Sequence, residues 1–240
     1  MSPFLFLVTN LMGFGMGVSV IAMDGPAASG KSTIASYLAK KLSIPYINTG
    51  SMFRAVAWYI LQKGIAVEDI EIIKKCLPEI SLEYKLDDKG GYSLFLNGKL
   101  LENELRTPEV VAIVGKIATI GEVRELLKNF QRKIAESQLV VMEGRDIGSV
   151  VFPDANWKFF VTASPMVRAE RRLKQDGGTY TKEALEKVAQ SIAERDKLDS
   201  EREIAPLKKC DDATLVDTSN MTIDEAVEFI CSKIGLNQDK

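Results

Sequence analysis

One stretch constrains this chain more than any other: Gly25-Pro26-Ala27-Ala28-Ser29-Gly30-Lys31-Ser32. It fits G-x-x-x-x-G-K-[ST] and stands between an apolar run, Val18–Met23, and a helical pattern over Thr33–Leu42. The strand–loop–helix context gives the pattern physical meaning. Glycines let the backbone close on phosphate oxygens that a Cβ would hold away. The loop N–H groups point inward, and the positive end of the next helix adds to their field. Gly25, Pro26, Ala27, Ala28, Ser29, Gly30, Lys31, Ser32 and Thr33 are therefore the expected contacts for a nucleoside triphosphate. Lys31 is expected to reach the β- and γ-phosphates, and the Ser32 hydroxyl is placed to hold Mg²⁺. The loop does not say what receives the phosphate.

Composition narrows the remaining choices. A chain of 240 residues can bury a sizeable core in one domain with insertions. With a net charge of −2 there is no global basic excess, so nucleic acid is not expected as a partner. Anion binding must then come from locally gathered arginines. Cys76, Cys210 and Cys231 lie far apart without metal-type spacing and are read as reduced thiols. The chain has no histidine, so any reaction must run without an imidazole.

The stretch Met1–Met23 is apolar but carries no Lys or Arg, so it lacks the charged start of a secretory signal. Its last part is needed as the buried strand that leads into the phosphate loop. Residues 1–15 are read as a dispensable leader, with Met16 as the working start and residues 16–240 as a single domain. A soluble, cytoplasmic monomer without membrane contact is expected.

Strands and helices alternate along the chain. Pro45-Tyr46-Ile47 reads as a short strand, and Asn48–Arg54 opens a helix that Thr49 or Ser51 can cap. Arg54 falls near a strand's carboxyl end, where open α/β sheets bind ligands. Ser81–Leu86 and Tyr92–Leu96 alternate around Asp87–Gly91 as an antiparallel hairpin, with Asn97-Gly98 as a further turn. Helical patterns cover Pro108–Ile117 and Glu122–Ala135. Leu139–Glu143 is a buried strand ending in a carboxylate, and Glu143 there is a candidate to act on Mg²⁺ through bound water. Trp157–Thr162 follows as a strand. The helix Pro165–Lys174 carries Arg168, Arg171 and Arg172 beside a glycine-containing loop, an arrangement suited to a closing lid. The charged helix Glu183–Arg202 is expected to present Arg195, Asp199 and Arg202 on one face. Ala213–Val216 and Ile223–Ile234 complete an α/β fold with a parallel sheet flanked by helices.

Taken in order, several segments resemble those of bacterial cytidylate kinases. They are Ala22–Thr33, Asn48–Arg54, Arg106–Val110, Val123–Glu125, Glu143–Gly148, Val151–Ala155, Glu194–Asp196, Ala205–Leu207 and Val216–Thr218. The resemblance spans about Met16 to Gly235 and is most specific over Gly144–Ala155 and around Arg195 and Ala205. It implies a P-loop NTPase fold of the nucleoside-monophosphate-kinase kind. Within it lie an inserted monophosphate-binding lobe (about 51–130) containing a small antiparallel sheet, and a short lid (about 165–179). It implies transfer of the ATP γ-phosphoryl group to CMP and dCMP with Mg²⁺.

By matched positions, Arg124 and Asp146 would read the base. Thr49, Arg195 and Asp199 would also contact the acceptor nucleotide, and Arg54, Arg145 and Arg202 would gather round the phosphates. Lys31, Arg54, Arg145 and Arg202 would be catalytic, and Arg168 and Arg172 would close on ATP. Cytosine's 4-amino group donates to a carboxylate, and its N3 and O2 accept from a guanidinium; uracil offers the opposite pattern at O4 and N3. Three positions depart from the family: Asn48 where Asp is usual, Phe53 where Tyr is common, and Gly115 where a Ser often contacts the acceptor. Two other readings remain open. One is a phosphate-loop kinase for another small acceptor, such as a different nucleotide or shikimate. The other is a nucleotide-dependent switch, although no N-K-x-D motif for guanine is present.

Overall fold

The computed structural model describes residues 18–86, 92–136 and 138–235. The leader 1–15 and the hairpin turn Asp87–Gly91 lie outside them.

A five-stranded sheet forms the centre: β1 (Val18–Asp24), β2 (Tyr46–Asn48), β6 (Val140–Glu143), β7 (Ala155–Thr162) and β8 (Thr214–Asp217), in the order β2-β6-β1-β7-β8. Every pairing in it is parallel. Successive side chains of β1 point to opposite faces, and both faces are covered. Val20 and Ala22 join one apolar core, while Ile21 and Met23 join the other. All four are fully buried, which is why β1 reads as an unbroken apolar run rather than an alternating one.

On the second face lie α1 (Lys31–Leu42) and α8 (Ile223–Lys233), which bury Ile34, Leu38, Val227 and Ile230 against the sheet. The first face carries α2 (Thr49–Gln62) and α5 (Gly121–Ala135). Packed with them are α3 (Ile70–Cys76), α4 (Pro108–Ile117) and a three-stranded antiparallel sheet. That small sheet comprises β3 (Leu82–Leu86), β4 (Tyr92–Leu96) and β5 (Lys99–Leu100). Asn97 and Gly98 make the β4–β5 turn with φ of 49° and 81°, as the dipeptide predicts. The parallel sheet, its flanking helices and the antiparallel insertion agree with the sequence reading. The short helix α3 was not anticipated.

Helix starts follow local chemistry. Thr107 caps α4 ahead of Pro108, and Thr222 with Glu225 forms a capping box on α8. The cap of α2 is Asn48, whose side chain accepts from Ser51 N at 2.9 Å, and neither Thr49 nor Ser51 serves. The reason is that Asn48 stays extended at the end of β2, while Thr49 is already helical. Two further helices, α6 (Pro165–Gln175) and α7 (Lys182–Glu201), pack against each other beside the phosphate loop. Arg202 is the C-cap of α7: its φ of −62° is still helical, so its side chain stays beside Asp199 one turn back, and only the chain after it turns away. Its Nε donates to Ala205 O at 2.6 Å. No helix among the described residues is long and apolar enough to cross a membrane, and the three cysteines are free thiols.

Candidate active site

Strand register assembles the site. Asn48 pairs with Glu143, and Glu143 with Met23, so the carboxyl ends of β2, β6 and β1 lie side by side. The phosphate loop leaves β1 at this edge.

Gly25 has φ of 147°, and a Cβ there would come within 2.0 Å of Val161 O, so no other residue fits. Gly30 has φ of 88° and is the N-cap of α1 without any side-chain cap. The first-turn amides of α1 therefore have no competing side-chain acceptor, as an anion site needs. Lys31 is buried, and its Nζ donates to Pro26 O at 2.7 Å and to Ser29 Oγ at 3.3 Å. Burial, reinforced by nearby Arg145, pushes its ammonium down to about 7. Ser32 and Thr33 are exposed.

The outer side of the loop is braced by Arg168 and Arg171, read from the sequence as lid arginines, and by Asp196 and Thr218, to which that reading gave no role. Arg171 donates to Ser29 O, Thr218 Oγ1 and Thr218 O, and Thr218 Oγ1 donates to Ser29 O at 3.0 Å. Asp196 accepts from Ala27 N at 2.9 Å and pairs with Arg168, which also donates to Ala27 O. Arg168 and Arg171 are thus fastened to the loop. Arg172 instead pairs with Asp176 at 2.8 Å, one turn along its own helix. Spacing alone does not reveal these tertiary partners, because Thr218 lies far along the chain from Ser29.

Asp24 was also missed. Its carboxylate is buried and accepts from Ile147 N at 2.8 Å and Gly148 N at 2.7 Å. These bonds cap the π-helical turn Ile147–Val151 that follows Asp146. The last residue of β1 therefore fixes the backbone beside Asp146. Desolvation raises the Asp24 carboxyl to about 6, outweighing the two amides that lower it. An acid whose folded pKa lies above its unfolded value binds protons more tightly when folded. Its contribution to stability is therefore largest below 3.8 and is lost as pH rises through about 6. Between pH 4 and pH 7 the native chain should lose on the order of 2–3 kcal/mol relative to Asp24→Asn. Urea denaturation across that range measures the difference, and a flat profile would reject the shift.

Opposite the loop, cations converge. Arg124 Nη1 lies 3.2 Å from Asp146 Oδ2, and Arg202 Nη2 lies 3.8 Å from Asp146 Oδ1. Arg145 Nε donates to Asp199 Oδ2 at 2.9 Å, and Arg202 Nη1 stands 3.7 Å from Asp199 Oδ1. Burial raises the Asp146 carboxyl even though Arg124, Arg202 and Arg145 lower it. The Phe53 ring lies under the Arg124 guanidinium, 5.3 Å from centroid to Cζ. Arg54 donates to Ser51 Oγ at 3.0 Å, and its guanidinium is pushed down by burial and by Arg195 and Arg106. Nε of Arg54, Nε and Nη2 of Arg124, and Nη2 of Arg202 are buried without a hydrogen-bond acceptor. Such a cluster costs folding energy unless an anion or a polar ring supplies acceptors. Thr49 is buried and gives its hydroxyl to Glu143 O at 2.8 Å. An added Cβ at Gly115 would meet nothing within 4 Å, so space does not enforce the glycine.

Glu143 sits between the two halves. Its Oε1 accepts from Tyr46 Oη at 2.5 Å and from Asn48 Nδ2 at 2.6 Å. Burial and this carboxylate push the Tyr46 phenol far above its ordinary value, so it remains a donor. The amide of Asn48 is suited to its place, since an Asp there would set a second carboxylate against Glu143.

Comparison with known proteins then decides the family. The "Cytidylate kinase" family model matches residues 21–235, nearly the full length of the chain. The chain belongs to the cytidylate kinase family. It is 47% identical over 214 residues to a cytidylate kinase of Clostridium botulinum (strain Loch Maree / Type A3), covering 89% of this chain and 96% of that one. Identity to the cytidylate kinase of Clostridioides difficile (strain 630) is 46% over 221 residues, covering 92% and 100%. The cytidylate kinase of Fervidobacterium nodosum (strain ATCC 35602 / DSM 5306 / Rt17-B1) is 44% identical over 210 residues, covering 88% and 93%. Within the cytidylate kinase family, the resemblance read from the motifs holds along the whole core of this chain.

Proposed function

We propose that this chain transfers the γ-phosphoryl group of ATP to CMP and dCMP, giving CDP or dCDP and ADP. The observation that carries this reading is the buried Asp146 flanked by Arg124 and Arg202, with Nε and Nη2 of Arg124 and Nη2 of Arg202 buried without a hydrogen-bond acceptor. A carboxylate beside guanidinium donors matches the amino group, N3 and O2 of cytosine, and mismatches uracil. A site whose buried groups must be paired rejects an analogue that leaves them unpaired.

The ATP phosphates lie against the amides from Gly25 to Thr33, with Lys31 directed at the β- and γ-phosphates. An oxygen of the CMP phosphate, already ionised near neutral pH, attacks the γ-phosphorus as the bond to the ADP oxygen breaks. No general base is required, in keeping with a chain that lacks histidine. Arg54, Arg145 and Arg202 neutralise the transferring group and hold the acceptor phosphate in line. Their planar forks suit phosphate oxygens. Arg195 and Asp199 lie toward the sugar, and Thr49 acts by fixing the Glu143 backbone. Arg168 holds the loop, while Arg172, paired only with Asp176 on its own helix, is the lid arginine.

Among the described residues no group of three His, Cys, Asp or Glu could hold a metal. Magnesium needs none, since it keeps waters and takes one or two protein oxygens plus substrate phosphates. The exposed Ser32 hydroxyl and Glu143 Oε2, the oxygen not engaged by Tyr46 and Asn48, fit that demand. Bound there, Mg²⁺ would supply charge neutralisation at the phosphates.

The chain is proposed to act as a monomer. A cytoplasmic setting supplies ATP and keeps the thiols reduced. A coupled assay with ATP against CMP, dCMP, UMP and AMP tests the reading. CMP and dCMP should exceed UMP and AMP in kcat/KM by at least about 100-fold; equal rates with UMP would overturn it.

A further inference from the structure

Tyr46 and Asn48 belong to no substrate contact described above, yet both converge on a single oxygen. Tyr46 Oη and Asn48 Nδ2 each donate to Glu143 Oε1, at 2.5 and 2.6 Å, and Asn48 Nδ2 also lies 3.1 Å from Tyr46 Oη. Asn48 is held in turn from both sides. Its Oδ1 accepts from Ser51 N, and its carbonyl accepts from Tyr84 Oη at 3.2 Å. The Glu143 backbone is fixed as well, through Thr49 and the strand pairing with Asn48.

A carboxylate bound this way has one rotameric answer. With Oε1 engaged by two donors, Oε2 is the oxygen left for a further partner. We infer that Tyr46 and Asn48 are positioning residues for the divalent cation: they lock the Glu143 carboxylate, so that this part of the cation's ligand sphere is set before ATP arrives. The inference rests on the reading that Ser32 and Glu143 face the metal. Partners of this kind orient ligating groups, and their loss commonly costs about 10- to 100-fold in metal affinity.

Two variants isolate the donors. Tyr46→Phe removes only the hydroxyl. Asn48→Ser keeps an oxygen able to cap Ser51 N but cannot reach Glu143 with a donor. ATP binding is measured by calorimetry without acceptor, in Mg²⁺ and in EDTA, together with the Mg²⁺ concentration for half-maximal activity. Each variant should bind ATP about 10-fold more weakly in Mg²⁺, bind ATP unchanged in EDTA, and keep the KM for CMP.

Glu143→Gln separates the two layers of the argument. If it weakens Mg²⁺-dependent binding while Tyr46→Phe and Asn48→Ser do not, the positioning inference is overturned and the metal reading stands. If Glu143→Gln leaves Mg²⁺-dependent binding unchanged, the metal reading falls and the inference goes with it. Should Asn48→Ser unfold, Tyr46→Phe alone decides, because deleting one hydroxyl leaves the α2 cap intact.

Discussion

Lys31→Ala is expected to lower kcat by on the order of 10²–10³-fold while leaving a folded enzyme. In this structure Lys31 is the one cation inside the loop, buried and directed by Pro26 O and Ser29 Oγ. Burial already weakens its ammonium form, so its charge is poorly tolerated by the fold alone and is best satisfied by phosphate oxygens. Removing it deletes a donor aimed at charge that grows during transfer, and such groups act mainly on kcat. Folding should survive because alanine leaves no unpaired charge behind. A rapid-quench single-turnover measurement with saturating ATP and CMP checks this, and an undiminished rate would remove Lys31 from the chemistry.

Asp146→Ala is expected to raise the KM for CMP by about 10- to 100-fold and to leave the KM for ATP within about twofold. The lost hydrogen bond involves a charged group, and its absence strands Arg124 and Arg202 beside each other. That pairing carries a second consequence. Breaking a buried ion pair by removing one partner costs about 3–5 kcal/mol, so the variant should also melt earlier. Asp146→Asn, which keeps volume but presents an amide to cytosine's amino group, should show the same selective KM rise with less loss of Tm. Equal changes in both KM values would reject Asp146 as the base reader.

Much of this was legible in the chain itself, for identifiable reasons. The phosphate loop is local: glycines, lysine and serine lie within eight residues, and the flanking apolar run and helix complete it. Glu143 stood out because an apolar strand running into a carboxylate is a short-range pattern, whereas Asp146 was singled out through the family resemblance alone. The bracing partners were not. Asp196 on Ala27 N, Asp24 on Ile147 N and Gly148 N, and Arg171 with Thr218 join segments that only the tertiary fold brings together. Nothing in the spacing of Asp24 marks it as the cap of a π-helical turn more than a hundred residues away. The same limit misassigned the cap of α2, where the β2 register holds Asn48 extended.

The crowding of Arg54 by Arg195 and Arg106 has a consequence beyond turnover. A bound polyanion is expected to offset their mutual repulsion in the native state and not in the unfolded chain. Ligand at 100 times its dissociation constant adds about 2.7 kcal/mol to native stability by mass action alone. Starved of nucleotides, the same molecule would open more often to proteases, so its lifetime would follow the energy supply of its host.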